Sequence, residues 1–466
     1  MIDTNLKKIW NDQYNVVEKQ LKEISKIGSV ATAFNTNIDA VLKIKGKDIE
    51  DLVEKTGLSE EEAFGNSTHL IKPSDVVHGI FKCFASGIAE EWTADDKSIY
   101  EWMKNNLGYD RLQMGGQGGI VANALAVLGV KHVYAHTNSH PKIQADQFLN
   151  LDNLFAFDEK GNLKQASKID RKDDIPLIHW IIEFDVGDKA ILWGKEFVCP
   201  KSNRFIATYD PLNADLVINQ NFVNYLSDVG YNYLILSGYS NLTTKRKGVE
   251  LVKNSATLIE SWKKKNPDGI IHLEVASTQD KLVRKAVVEE IAPLVDSIGL
   301  NERETLDVLE VIDENQFEEL RKNELTAPLL FKAILDIKQK IKVPRIQLHM
   351  FGLYITVQDK NFKIPAENNL KGMMLAATVA ATKAGTGKIE EYDNLLWAKD
   401  MSVSDVGLRE LTSLAESFNM HELLKTGIDN YLNFEIIAVP TILIQKPLTL
   451  VGMGDTISSV SLIGAV

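Results

Sequence analysis

Apolar and polar positions recur along this chain with two different periods, and the places where the period changes mark its organisation. Leu6, Ile9, Trp10, Tyr14, Val17, Leu21 and Ile24 fall at helical spacing among charged residues, so residues 1–26 predict an amphipathic helix. Residues 28–34 then read as a buried strand that ends at Asn35-Thr36-Asn37-Ile38-Asp39. From about residue 43 to 185 the pattern is mixed and polar, with helices expected over 74–86 and 118–128. Strand-like runs follow at 177–184, 190–193 and 204–207. Beyond Asn213 the register changes to strand 233–236, helix 243–265, strand 270–275, helix 281–291 and strand 294–298. Strands at 345–348 and 353–357 and an alanine-rich helix over 368–384 complete the series.

Strands alternating with helices predict an α/β fold with a central, mostly parallel sheet covered by helices on both faces. At 466 residues the chain exceeds one ordinary core, so a second, smaller, strand-rich lid built from inserted segments is expected. The expected division is 1–42 large domain, 43–72 lid, 73–165 mostly large domain with lid crossings, 166–212 lid strands and 213–466 large domain. In sheets of this kind ligands bind beyond the carboxyl ends of the strands.

Composition narrows the function. A net charge of −12 repels a nucleic-acid backbone, so nucleic acid is not an expected partner. No run of about 18 apolar residues occurs, so no membrane span is expected, and the first helix lacks the apolar block of a signal peptide. Cys83 and Cys199 have neither metal-ligand nor disulfide-framework spacing; free thiols in a reducing cytoplasm are expected.

The densest chemistry is near the C-terminus. In Val451-Gly452-Met453-Gly454-Asp455-Thr456 an apolar run stops at two glycines and a small-residue helix begins. Unpaired amides at such a helix start suit a phosphate-like anion, and Asp455 stands where it can take a proton from an attacking hydroxyl. An N-cap role for Asp455 explains the same letters. Gly115-Gly116-Gln117-Gly118-Gly119 precedes a helix and suits sugar hydroxyls on glycine amides or close helix packing; the dinucleotide G-x-G-x-x-G spacing is absent. His272 and Glu274 share one face of a strand, as a salt-bridged pair or a metal site. Asn301 and Glu304 stand one turn apart, which suits Mg²⁺ and equally a capping box. Asn35, Asn37 and Asp39 suit sugar hydroxyls or an Asx-rich turn. Arg204 and Lys172 are candidate phosphate contacts, and His349, Tyr354 and Val439 are candidates for a base pocket or for core packing.

In family order, Asn35-Thr-Asn-Ile-Asp39, Gly115-Gly116, Asn203-Arg-Phe-Ile206, Ser237-Gly-Tyr239, His272-Leu-Glu274, Asn301-Glu-Arg-Glu304 and Gly452-Met-Gly-Asp455 resemble the archaeal ADP-dependent glucokinases and phosphofructokinases of the ribokinase-like fold. The resemblance spans nearly the whole chain. It implies Asp455 as catalytic base, an anion hole from Gly452, Met453, Gly454 and Asp455, and Arg204 on the transferring phosphate. Glu274, Asn301 and Glu304 then hold Mg²⁺ through water, and Asn35, Asn37, Asp39, Gly115 and Gly116 contact the sugar. The nucleotide would lie by His349, Tyr354, Val439 and Gly454. The resemblance alone implies ADP as donor. Glu90 matches the position that bonds a glucose hydroxyl, while Lys172 with Arg204 would grip fructose 6-phosphate, so a bifunctional enzyme is expected, monomeric or a small homo-oligomer. An ATP-dependent sugar or nucleoside kinase and a non-catalytic sugar or nucleotide sensor are the rival readings.

Overall fold

The computed structural model describes residues 4–66, 68–94 and 96–466. Its large sheet has eleven strands, in the order Ile428–Tyr431, Phe434–Pro440, Leu353–Asp359, Arg345–Met350, Ser297–Leu300, Ile270–Glu274, Tyr233–Leu236, Val30–Ala33, Val133–Ala135, Leu154–Phe157 and Leu163–Gln165. From Arg345–Met350 to Leu154–Phe157 every pairing is parallel, and the strands outside these are antiparallel. The parallel strands are apolar on both faces because helices cover both: every residue of Tyr233–Leu236 and of Ile270–Glu274 is buried. Polar His272 and Glu274, buried inside such a strand, therefore need partners.

Strand Val30–Ala33 is paired on one side with Val133–Ala135 and on the other with Tyr233–Leu236, so the chain reverses direction across the sheet there. The crevice beyond these carboxyl ends is where an open α/β sheet takes its ligands. Asn35, Ser237 and Gly238 all lie at this point. Helices Ala366–Thr386 and Met453–Ile463 pack closely against each other, the first also on strand Phe434–Pro440 and the second on Arg345–Met350 and Ser297–Leu300. The alanine run Ala376, Ala377, Ala380 and Ala381, buried throughout, keeps the first of them slim enough for that contact. Helix Gln117–Val127 packs against Met453–Ile463 from the other side.

The lid is a separate five-stranded sheet in the order Glu90–Thr93, Asn203–Thr208, Ile178–Phe184, Asn37–Lys43 and Arg111–Gly115. Its own core includes Ile80, Phe81, Phe84, Trp92, Trp180, Phe184 and Phe205. The expected division is corrected here. Helix Pro73–Ser86, strand Glu90–Thr93, helix Lys97–Asn106 and strand Arg111–Gly115 belong to the lid rather than to the large domain. In the opposite sense, Ala166 and Ile169 pack in the large core and not among lid strands. An amphipathic helix announces that it buries a face but not which core receives it; here Phe84 meets Phe184, with ring centroids 5.8 Å apart, and Trp92 meets Phe205 at 5.3 Å. The strand expected over 294–298 lies later, at Ser297–Leu300, after a 3₁₀ turn Ala292–Leu294. Among the described residues no helix is long and apolar enough to cross a membrane.

Candidate active site

Gly452 adopts φ +58°, a left-handed conformation that glycine tolerates, and turns the chain into helix Met453–Ile463. Gly452 is the N-cap residue, so Asp455 lies inside the first turn and is not the cap. Its carboxylate is engaged elsewhere: Gln117 Nε2 donates to Asp455 Oδ1 at 2.7 Å. Behind the loop, Lys383 Nζ donates to Gly452 O at 3.1 Å and to Thr456 Oγ1 at 3.0 Å. Burial raises the Asp455 carboxyl above its ordinary range, against the Gln117 hydrogen bond and the Lys383 charge, which hold it down. Burial lowers the Lys383 ammonium to about 8, with Asp455 opposing the fall.

Next to Asp455 the ligand atoms of Glu274, Glu304 and His349 lie within 4.8 Å of one another. Glu274 projects from the end of its parallel strand. Glu304 and Asn301 form the capping box of helix Glu302–Ile312: Asn301 N donates to Glu304 Oε2 at 2.8 Å and Glu304 N donates to Asn301 Oδ1 at 3.0 Å. The cap leaves the second Glu304 oxygen for the cluster, so the capping and metal readings of this motif coexist. The Asn301 side-chain oxygen gives one of its two lone pairs to the cap. Burial, then the Glu304 and Asp455 charges, push the Glu274 carboxyl well above its usual range. Burial pushes Glu304 up to about 8, with Asp455 adding to it. Two buried carboxylates this close favour a shared cation over joint ionisation without one, and oxygen donors of this kind suit a hard divalent ion.

His349 stands in this cluster. Its Nε2 lies 3.6 Å from Glu274 Oε1, both ring nitrogens are buried without a hydrogen-bond partner, and burial lowers it to about 4, so it is neutral. Tyr354 and Val439 face each other across neighbouring strands and are buried in the large core, the packing alternative of their sequence reading.

The third group is on the open face of the lid sheet. Side chains of cross-strand neighbours share a face, and register places Asp39, Gln113, His179, Thr208 and Thr93 in one row. Two residues along, Val41, Ile181, Ile206 and Glu91 form the next row, and Arg204 opposite Glu183 the one after. Asn37 Nδ2 donates to Asp39 Oδ1 at 3.0 Å. Burial raises Asp39 to about 6, against His179, Asn37 and Gln113. His179 Nε2 is 2.9 Å from Asp210 Oδ2; burial lowers the ring's pKa, but the Asp210 carboxylate together with the Glu91 and Asp39 charges raises it above its ordinary value. Gly115 admits this packing, because a Cβ there would stand 2.2 Å from Asp39 Oδ1. Asn35 Oδ1 accepts from Gly118 N at 3.3 Å and from Ser237 Oγ at 3.2 Å, tying the first strand's end to both flanking loops.

Glu90 lies on the other face. It accepts from Trp92 Nε1 at 2.7 Å and pairs with Lys82 at 2.9 Å, packed toward helix Pro73–Ser86. Glu91 is the carboxylate that faces Asp39 and His179, and its field acts on both. One residue of misalignment in a strand reverses the face. Lys172 is exposed, while Arg171 beside it turns inward to Thr137 O and Asp174. Gln117, Lys383, His179 and Glu91 were not singled out as site residues from the sequence. Gln117 alone carried a local signal, standing between two glycine pairs.

Residues 28–464 match the profile of the ADP-specific phosphofructokinase/glucokinase conserved region. The chain is 31% identical over 462 residues to the ADP-dependent glucose/glucosamine kinase of Pyrococcus abyssi, covering 97% of each chain. It is 27% identical to the ADP-specific phosphofructokinase of Methanosarcina acetivorans, covering 97% of this chain and 96% of that one. The last common ancestor of ADP-dependent phosphofructokinases from Methanosarcinales superposes with a TM-score of 0.85 at 29% identity, over 100% of this chain and 99% of that one. An ADP-dependent kinase in complex with fructose-6-phosphate and ADPβS superposes with a TM-score of 0.80 at 28% identity, over 100% and 98%. The chain belongs to the ADP-specific phosphofructokinase/glucokinase family.

Proposed function

We propose that the protein transfers the terminal phosphoryl group of ADP to a sugar hydroxyl, the C6 hydroxyl of glucose or the C1 hydroxyl of fructose 6-phosphate, and releases AMP. The observation that carries this reading is Asp455 in the first turn of a helix whose amides face the crevice, aimed by Gln117 and backed by Lys383. In the transfer the Asp455 carboxylate takes the hydroxyl proton as the new O–P bond forms and the bond to the AMP phosphate breaks. The amides of Gly452 to Asp455 and the Arg204 guanidinium hold the equatorial oxygens, so the chain's contribution is position and charge. Glu274 and Glu304, with His349 close by, would hold Mg²⁺ through water, and the ion would supply positive charge against the phosphate oxygens. Asp39, Asn37, Gly115 and His179 orient the sugar, and closure of the lid excludes water.

Choice of sugar rests on the open face of the lid. A carboxylate beside Asp39 can bond a glucose hydroxyl, and Glu91 holds that place; Arg204 supplies a cation for a sugar phosphate, with Lys172 as the second candidate. Glu91→Ala is expected to raise KM for glucose at least 10-fold while changing fructose 6-phosphate little, a loss of the size expected for a hydrogen bond to a charged group. Glu90→Ala is expected to affect both sugars equally, through Trp92 and Lys82 packing. Initial rates with the two variants check this, and a glucose-specific loss in Glu90→Ala instead would restore Glu90 as the discriminator.

The test of the whole reading is initial-rate phosphorylation with Mg²⁺, crossing ADP and ATP with glucose and fructose 6-phosphate. Turnover with ADP on both sugars supports a bifunctional enzyme. Turnover with ATP alone would make the protein an ATP-dependent kinase, and nucleotide binding without turnover would make it a sensor.

A further inference from the structure

Arg345 is fully buried at the start of strand Arg345–Met350, and among the described residues no carboxylate lies at ion-pair distance from it. Its donors go to neutral groups: Nε to Asn369 Oδ1 at 3.1 Å, Nη1 to Ser297 Oγ at 2.8 Å and Nη2 to Gln347 Oε1 at 2.6 Å. Glu274 is the carboxylate whose field reaches it, from beyond that distance, and a buried charge without a close counter-ion is costly, so its persistence here asks for a reason.

The reason lies in the direction of the hydrogen bonds. A guanidinium can only donate. Ser297 Oγ therefore accepts from Arg345 and has its own proton to give, and His272 Nδ1 is 3.0 Å away. With Nδ1 accepting, the imidazole proton sits on Nε2. From there it reaches Ser458 Oγ at 2.8 Å, with Glu274 Oε2 at 3.4 Å. Ser458 Oγ and Glu274 Oε2 both lie against Gly299, 2.0 and 2.1 Å from where a Cβ there would stand, so Ser458, having accepted, has its hydroxyl proton to donate to that carboxylate. Donors thus converge on Glu274 from the strand side, while Oε1 faces His349 at 3.6 Å.

We infer that Arg345 and Ser297 are positioning residues for Glu274. The donor-only guanidinium sets the polarity of the chain Arg345–Ser297–His272–Ser458–Glu274, holds His272 as the Nε2–H tautomer and keeps one Glu274 oxygen directed at the cation cluster. The functional half of this inference rests on the reading of Glu274 as part of the Mg²⁺ site; the tautomer does not. Reversed polarity would put the proton on Nδ1, make His272 Nε2 the acceptor of the Ser458 proton, and leave Glu274 without that donor.

The test is ¹⁵N-histidine NMR of the metal-free protein, with His272 assigned by loss of its signals in His272→Asn. Wild type is expected to show a bare Nδ1 and a protonated Nε2; a protonated Nδ1 would overturn the inference. In Arg345→Met, which keeps the volume without the charge, the signals should move toward the other tautomer or a mixture. Ser297→Ala should break the chain without touching the guanidinium, and Ser297→Thr should restore it. In parallel, the Mg²⁺ concentration for half-maximal kcat should rise about 10-fold or more in Arg345→Met and Ser297→Ala, with KM for the sugar unchanged and recovery in Ser297→Thr. Wild-type signals in folded Arg345→Met or Ser297→Ala refute the polarity argument whatever the activity. Shifted signals with unchanged Mg²⁺ dependence keep the polarity and remove Glu274 from the cation site.

Discussion

Asp455→Ala is expected to lower kcat by about 10²–10⁴-fold on either sugar while leaving sugar and nucleotide binding within a few-fold of wild type, the loss typical of a general base. The split follows from the geometry. Asp455 is held by Gln117 from one side, and its neighbours Glu274 and Glu304 repel it, so it adds little attraction for a neutral hydroxyl. Its contribution comes when the hydroxyl gives up its proton. Isothermal titration for binding and steady-state rates for turnover check both halves, and retained turnover would remove Asp455 as the base. Gln117→Ala should give a smaller loss of kcat, because it frees the carboxylate without deleting it.

Lys383→Met carries the second large effect, about a 10²-fold loss of kcat with sugar KM unchanged, comparable to removing one preorganised charge stabiliser. Lys383 fastens the start of helix Met453–Ile463 through Gly452 O and Thr456 Oγ1 and places a positive charge behind Asp455. The base must be ionised to act. Burial raises its pKa and the Lys383 charge lowers it, so loss of Lys383 raises it further and the acidic limb of the kcat profile moves to higher pH. Glu274 and Glu304 also face Asp455, and bound Mg²⁺ would offset their repulsion, so the profile is measured at saturating metal. Burial brings the ammonium itself down to about 8. Wild-type kcat should therefore fall as pH rises through that value, and this alkaline limb should vanish in Lys383→Met. Lys383→Arg keeps the charge and should recover most of the activity; an acidic limb unmoved in Lys383→Met would reduce the lysine to a packing role.

Some parts of the site are written locally. Two glycines, an aspartate and small residues after an apolar run are enough for a turn into a helix start, and the Asn301 and Glu304 spacing is enough for a capping box. Both depend on backbone geometry within one turn, which neighbouring residues control. The alternation of strands and helices after Asn213 is similarly legible, because the period of burial follows from the element itself.

Other parts have no local signature. Glu90 and Glu91 are chemically equal, and only the strand's register against Asn203–Thr208 decides which of them faces Asp39. His349 reads in the sequence for a base pocket or for core packing, and its place beside Glu274 and Glu304 emerges only when strand Arg345–Met350 is laid beside Ser297–Leu300. Lys383 stands 72 residues before Asp455, on a helix read only as alanine-rich, and Arg345 is unremarkable until its burial is known.

By itself the sequence determined the α/β class and the helix start at Gly452 and offered the capping box at Glu304, since each follows from spacing within one or two elements, while the motifs in order along the whole chain carried the family resemblance. Tertiary structure alone decided where the lid begins and ends, which carboxylate shares a face with Asp39 and His179, and which buried charges stand behind Asp455 and Glu274. Those outcomes depend on strand order, register and burial between segments far apart in the chain, where the energy of a charge is set by neighbours that local spacing does not specify.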